Sequence, residues 1–151
     1  ALNEAAVCRG NQVRPVHLSV RVDGNLLAHY VADGLIAATP TGSTAYALAA
    51  GGPILPPDIH NILLVPIAPH LSVDRAVVLA EGASLIITVA GENPAILSVD
   101  GQAPVPLERG DRVEVRAGDC TARFVRFGAA DYFYRNLTAH MDQNPILEGE
   151  S

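Results

Sequence analysis

Residues 39–53 read TPTGSTAYALAAGGP, with four hydroxyl side chains (Thr39, Thr41, Ser43, Thr44) around one glycine, then alanines, then Gly51-Gly52-Pro53. Pro40 forces Thr39 into an extended conformation and ends whatever strand precedes it. Gly42 allows a sharp turn, Ser43 or Thr44 can cap a helix over 44–50, and the glycine pair stops that helix. The stretch therefore predicts strand, turn, two-turn helix, stop. A helix start exposes unpaired N–H groups and the positive end of the helix dipole. Small hydroxyls beside it suit a polar ligand lying close to the backbone, such as a base, a ribose or a phosphate. An ordinary capped helix in a β protein would use the same letters. A Walker A loop is excluded, because no GK[ST] follows.

The elements around this stretch are strand-like. VHLSVRV (16–22) alternates apolar and polar residues strictly, the period of a half-buried strand. Asp23-Gly24-Asn25 turns the chain into LLAHYVA (26–32), a hairpin partner. Asp33-Gly34 reads as another turn, before the apolar run LIAAT (35–39). ILLVPI (62–67), AVVLA (76–80), SLIITVA (84–90), AILSV (95–99), DRVEVRA (111–117) and TARFVRF (121–127) follow, separated by turn formers such as Asp100-Gly101. Many short strands at such intervals predict a mainly β fold, a complex β-sandwich with two short helices. The second helix falls on DYFYRNLTAHM (131–141), where Asp131 can cap the start. Residues 1–142 are expected to form one domain and 143–151 a tail.

At 151 residues the chain has the size of one domain, and its 49% apolar content can fill a core. The net charge is −6 and all ten cations are Arg. Without lysine there is neither a P-loop lysine nor a Schiff base. An acidic chain without a basic stripe is not expected to bind nucleic acid. No apolar run reaches the roughly 20 residues of a membrane span, and no signal-peptide pattern is present, so no membrane association and a cytoplasmic location are expected. Cys8 and Cys120 have no metal spacing and read as ordinary buried thiols. The five histidines form no ligand pair, so no metal site is expected. The chain opens at Ala1 and runs directly into a strand, as a piece of a longer protein would.

ADGLIAATPTGSTAYALAAGGPIL (32–55) resembles the signature of the NAD kinase family, ADG-x-x-x-x-TPTGSTAY-x-x-x-x-GGP. NEAAVCRG (3–10), PIAPHLSVDRAVVL (66–79) and SVDGQ (98–102) are similar to further family segments in the same order. The resemblance covers nearly the whole chain, and its first motif is highly specific. It implies the C-terminal, NAD-binding domain of an enzyme that phosphorylates the 2′-hydroxyl of the adenosine ribose of NAD, giving NADP. ATP or polyphosphate would be the donor, with Mg. The family's GGDGT stretch, which carries the catalytic Asp in an N-terminal α/β domain, does not occur here, so this chain alone is expected to turn nothing over and to bind no cofactor tightly. Its implied partners are NAD, its own N-terminal domain and further copies in a homodimer or homotetramer.

Carried over residue by residue, Asn3 and Glu4 would bind the adenosine end of NAD. A carboxylate accepts from a ribose diol, and a carboxamide offers paired donor and acceptor to an adenine edge. Asp33 would meet the nicotinamide riboside, within or across a subunit boundary. Thr41, Gly42, Thr44, Ala45 and Tyr46 would hold adenine or carboxamide groups, with Tyr46 packed on the ligand. Taken without the motif, Asn3 and Glu4 read as a polar strand start, Asp33 as a turn and Tyr46 as a core aromatic. His70 reads as structural, Arg75 as a partner for a carboxylate or phosphate, and Asp100 as a turn residue. Here PHLSVDRA stands where the family commonly has PHSLSFRP, and Val31 stands where it often has a basic residue. Two alternatives stay open: a lipid (diacylglycerol or sphingosine) kinase relative, which would be expected to lack the full TPTGSTAY run, and a non-catalytic nucleotide-binding β module.

Overall fold

The alternating runs become strands in two antiparallel sheets in a computed structural model that describes residues 1–70, 73–125, 127, 133–135 and 137. The strands are β1 (Glu4–Arg9), β2 (Val16–Val22), β3 (Asn25–Ala32), β4 (Gly34–Ala38), β5 (Leu63–Ile67), β6 (Val77–Val78), β7 (Leu85–Val89), β8 (Ala95–Val99), β9 (Val105–Leu107) and β10 (Arg112–Val115). One sheet has the order β6-β5-β4-β1-β8-β9, the other β10-β7-β2-β3. Every pairing is antiparallel. The compact unit is Ala1–Cys120; residues 121–151 form a second unit, in which 133–135 and 137 are helical.

Period-2 alternation decides the layers. Val16, Leu18 and Val20 of β2, Tyr30 of β3 and Leu85, Ile87 and Val89 of β7 form one wall of the main core. Val7, Leu35, Ala37, Leu64 and Ala95 of the six-stranded sheet form the other. That sheet is also apolar on its outer side, where Ala6, Ile36, Ala38, Leu63 and Val65 gather with Ala47 and Leu55. Strand β4 is consequently buried at every residue, the pattern of a strand covered on both faces.

Some expectations change. Asp33-Gly34 is not a hairpin turn: it is where the chain passes from β3 in one sheet to β4 in the other, the Asp33 N–H donating to the Ile67 carbonyl. Gly34 is needed for closeness, since a Cβ there would lie 2.8 Å from the Val7 carbonyl oxygen and 2.9 Å from Cys8 Sγ. The run 76–80 pairs only at Val77–Val78. Residues 121–125 and 127 form no strand and have no ladder partner among the described residues. Strand β9 was not expected, because Pro104 and Pro106 flank and interrupt it; proline is tolerated on an edge strand, which β9 is. The helix expected at 131–141, with Asp131 as cap, lies largely outside the described residues.

Candidate functional site

After β4 the chain makes a 3₁₀ turn at Thr41–Thr44 and then α1 (Tyr46–Ala49). The helix is one turn long, and neither Ser43 nor Thr44 caps it; neither element has a side-chain cap. The hydroxyls divide the work differently. Thr39 Oγ1 donates to the Leu2 carbonyl (2.6 Å) and accepts from the Gly42 N–H (3.0 Å). Ser43, fully buried, donates to the Pro40 carbonyl (2.6 Å) and accepts from the Leu55 N–H (2.9 Å). These two therefore hold the loop together. Thr41 is half-buried, and Thr44 is exposed with its hydroxyl on the Thr41 carbonyl (3.1 Å). Gly51, at φ 85, ends α1 as the sequence predicts.

Gly42 serves close approach, not turn geometry: it has no positive φ, and a Cβ there would lie 2.0 Å from the Asn3 carbonyl oxygen. The N-terminal segment thus runs directly under the hydroxyl loop, and the Thr39 N–H donates to the Asn3 carbonyl (2.8 Å). These contacts set Asn3 against Gly42; Glu4 follows Asn3 at the start of β1, and Thr41, Thr44, Ala45 and Tyr46 lie beside Gly42 along the chain.

The β1 side chains on the outer face are Glu4, Ala6 and Cys8. Register sets Ser98 and Ile96 of β8 opposite Ala6 and Cys8. Helix α1 covers β4 and buries Ala47, whereas Cys8, Ile96 and Ser98 stay half-buried. The outer face of β1 and β8 is therefore a ledge running about 14 Å from Glu4 to Cys8. Tyr46 of α1 is 44% exposed and not absorbed into the core. At the far end Asp33 pairs with Arg9 (Nε to Oδ2, 3.4 Å). Burial raises the Tyr46 hydroxyl pKa, with the charges of Cys8 and Asp33 adding to it, so both lie within electrostatic reach of the ring oxygen. Burial likewise raises the Cys8 thiol pKa, helped by Asp33 and opposed by Arg9.

Glu4 is the polar anchor of the ledge. Its Oε2 is buried with no partner among the described residues. Burial, and then the nearby charge of Asp100, raise its pKa above the ordinary 4.5. A buried carboxylate oxygen without a donor has unused accepting capacity. Asp100, read from sequence only as a turn residue, does occupy a turn, at φ 48, but its carboxylate also accepts the N–H groups of Leu2, Asn3 and Glu4. An Asp-Gly pair gives no hint of that second use.

The remaining candidates are peripheral. His70 is exposed, and its backbone N–H donates to the Val31 carbonyl. Arg75 pairs with Asp74, both exposed. Cys120 is exposed, contrary to expectation, and Cys8 is only half-buried. An open depression of about 320 Å³ lined by Asn93, Pro94, Leu107 and Arg109 lies elsewhere, at the β8–β9 end away from Glu4.

The sequence profile of the ATP-NAD kinase C-terminal domain matches residues 2–127. The NAD kinase of Symbiobacterium thermophilum is 46% identical over 127 residues, 83% of this chain and 45% of that protein. That of Chloroflexus aurantiacus is 43% identical over 141 residues, 93% of this chain and 51% of that protein. Among solved structures, an NAD kinase from Archaeoglobus fulgidus in complex with ATP superposes with a TM-score of 0.79 at 32% identity, covering 92% of this chain and 53% of that one. Yeast NADH kinase complexed with NADH gives 0.68 at 39% identity, covering 76% and 33%. The chain spans about half the length of the curated relatives it matches.

Proposed function

Because the chain belongs to the ATP-NAD kinase C-terminal domain family, we propose that it is the substrate-binding half of an NAD kinase and that NAD lies on the outer ledge of β1 and β8. The observation that carries this reading is the unpartnered, buried Glu4 oxygen beside the hydroxyl loop. Glu4 accepts from the adenosine ribose, and the Asn3 carboxamide meets the adenine edge. Thr41, Thr44 and the Gly42–Ala45 backbone flank the base, Tyr46 packs on the ligand, and Asp33 meets the nicotinamide riboside.

In the reaction, the ribose 2′-oxygen attacks the terminal phosphorus of ATP or polyphosphate while the bond to the leaving phosphate breaks. The proton passes to a base in the α/β domain of the full enzyme. This chain contributes position, which in phosphoryl transfer is a large part of the catalysis. The Mg ion is assigned to the α/β domain with the catalytic Asp that the family resemblance implies there, and no step is routed through this chain's carboxylates. The expected domain end at residue 142 and the tail over 143–151 lie outside the described residues; the chain assembles with further copies into a dimer or tetramer.

Calorimetric titration of the chain with NAD, and in parallel with a glycerophosphate headgroup analogue, tests the reading. Weak NAD binding, no response to the analogue and no NADP formation by the chain alone are expected. Preference for the headgroup would assign the lipid-kinase branch; NADP turnover without the α/β domain would overturn the division of roles.

A further inference from the structure

We infer that Asp100 is a positioning residue of the nucleotide site, locking the Leu2–Glu4 segment and, through it, the 39–44 loop into one ligand-facing unit. The inference rests on the proposed NAD reading for its ligand, but its geometry stands independently. Asp100 Oδ2 accepts the Leu2 N–H (2.6 Å), and Oδ1 accepts those of Asn3 (2.8 Å) and Glu4 (3.0 Å). The Asp100 N–H returns a bond to the Glu4 carbonyl (3.0 Å). One carboxylate thus fixes three successive backbone groups at the start of β1.

The bonds continue across the segment. The carbonyls of Leu2 and Asn3 accept from the Thr39 hydroxyl (2.6 Å) and N–H (2.8 Å). The same hydroxyl accepts from Gly42, whose missing side chain lets the Asn3 backbone close against it. None of these bonds uses the Asn3 carboxamide or the Glu4 carboxylate, so both proposed ligand groups are aimed by their backbone while their polar atoms stay available. The turn alone does not call for Asp. Asp100 and Gly101 sit at φ 48 and φ 69, a geometry that Asn-Gly or Gly-Gly adopts at least as readily. What only a carboxylate supplies here is two acceptor oxygens engaged at once by three donors. The three N–H groups lower the Asp100 pKa, Leu2 contributing most.

Asp100→Asn and Asp100→Gly both tolerate the left-handed backbone, so Gly removes the clamp and Asn weakens it without straining the turn. Amide hydrogen exchange and NAD titration on the full chain read the two halves of the inference, well below each variant's melting temperature. In Asp100→Gly, the amides of Asn3, Glu4, Thr39 and Gly42 should lose protection together, while those of Leu18 and Val20 in the other sheet keep theirs. NAD affinity should fall about tenfold. Asp100→Asn, which keeps one acceptor oxygen, should fall between it and the parent in both readouts. Unchanged protection at Thr39 and Gly42 would overturn the coupling. Loosened amides with unchanged NAD affinity would reduce Asp100 to a structural residue and overturn the positioning role. If the parent chain binds no NAD, the proposed function fails, and the exchange pattern alone still decides whether Asp100 couples the two segments.

Discussion

Glu4 and Asp100 titrate in opposite directions from one small region, and the signs separate their roles. Glu4 has a raised pKa, first from burial and then from Asp100, so the folded state prefers its protonated form. Its contribution to stability is full below the ordinary 4.5 and is lost as pH rises through the raised value. At neutral pH the ionised carboxylate destabilises the fold slightly, as a group kept for a ligand would. Glu4→Gln should therefore melt at a slightly higher temperature at pH 7, with the gain vanishing near pH 4. The same variant should bind NAD about tenfold more weakly, since a charged acceptor is lost. Melting curves at the two pH values and one titration check both signs. Asp100 behaves conversely: its stabilising bonds are present above the ordinary 3.8 and are lost as pH falls through the lowered value. Sequence alone could not assign these roles. Glu4 was identified as a candidate through its motif, but its orphaned oxygen depends on burial by residues distant in the chain. Asp100's partners lie 96 to 98 positions away.

The segment from Thr39 to Pro53 shows which features of an element its letters disclose. The stop at Gly51 was legible because positive φ is a local property of the backbone. Neither Ser43 nor Thr44 caps the helix, because both hydroxyls find other partners, one of them the Leu55 N–H twelve residues on. The local letters suggest a turn residue at Gly42, but what selects glycine there is the Asn3 backbone, a neighbour that no local pattern names. The two glycines should consequently respond differently to alanine. Gly42→Ala puts a methyl carbon 2.0 Å from a carbonyl oxygen and should destabilise by about 2–4 kcal/mol, displacing the segment around Asn3. Gly51→Ala meets nothing within 4 Å and should show only the left-handed backbone penalty, about 1–2 kcal/mol. Denaturant unfolding of the pair measures the difference, and near-equal losses would contradict the close-approach reading.

Across the whole molecule, strand positions were legible wherever an apolar or alternating run lies between turn formers, and β3, β4 and β5 fall within about a residue of the runs 26–32, 35–39 and 62–67. β2, β7 and β8 match their expected runs to within a residue or so. The assignment of strands to sheets was not legible, since it depends on which apolar faces meet. Asp33-Gly34 looks like one more hairpin until the pairings put β3 and β4 in different sheets. One core then spans both layers, so Leu64 of β5, fully buried there, should couple them. Leu64→Ala should lower unfolding stability by about 2–5 kcal/mol while leaving the ledge, on the opposite face of the same sheet, with NAD affinity within about twofold of the parent. Parallel unfolding and titration experiments separate the two effects.

The most direct test of the NAD site is an amide NMR map of the chain titrated with NAD. Shifts should concentrate at Asn3, Glu4, Thr41, Thr44, Ala45 and Tyr46, continue onto Ile96 and Ser98, and reach Asp33. Shifts confined to the depression around Asn93 and Arg109, or none at millimolar NAD, would contradict a dinucleotide seated on the β1–β8 ledge.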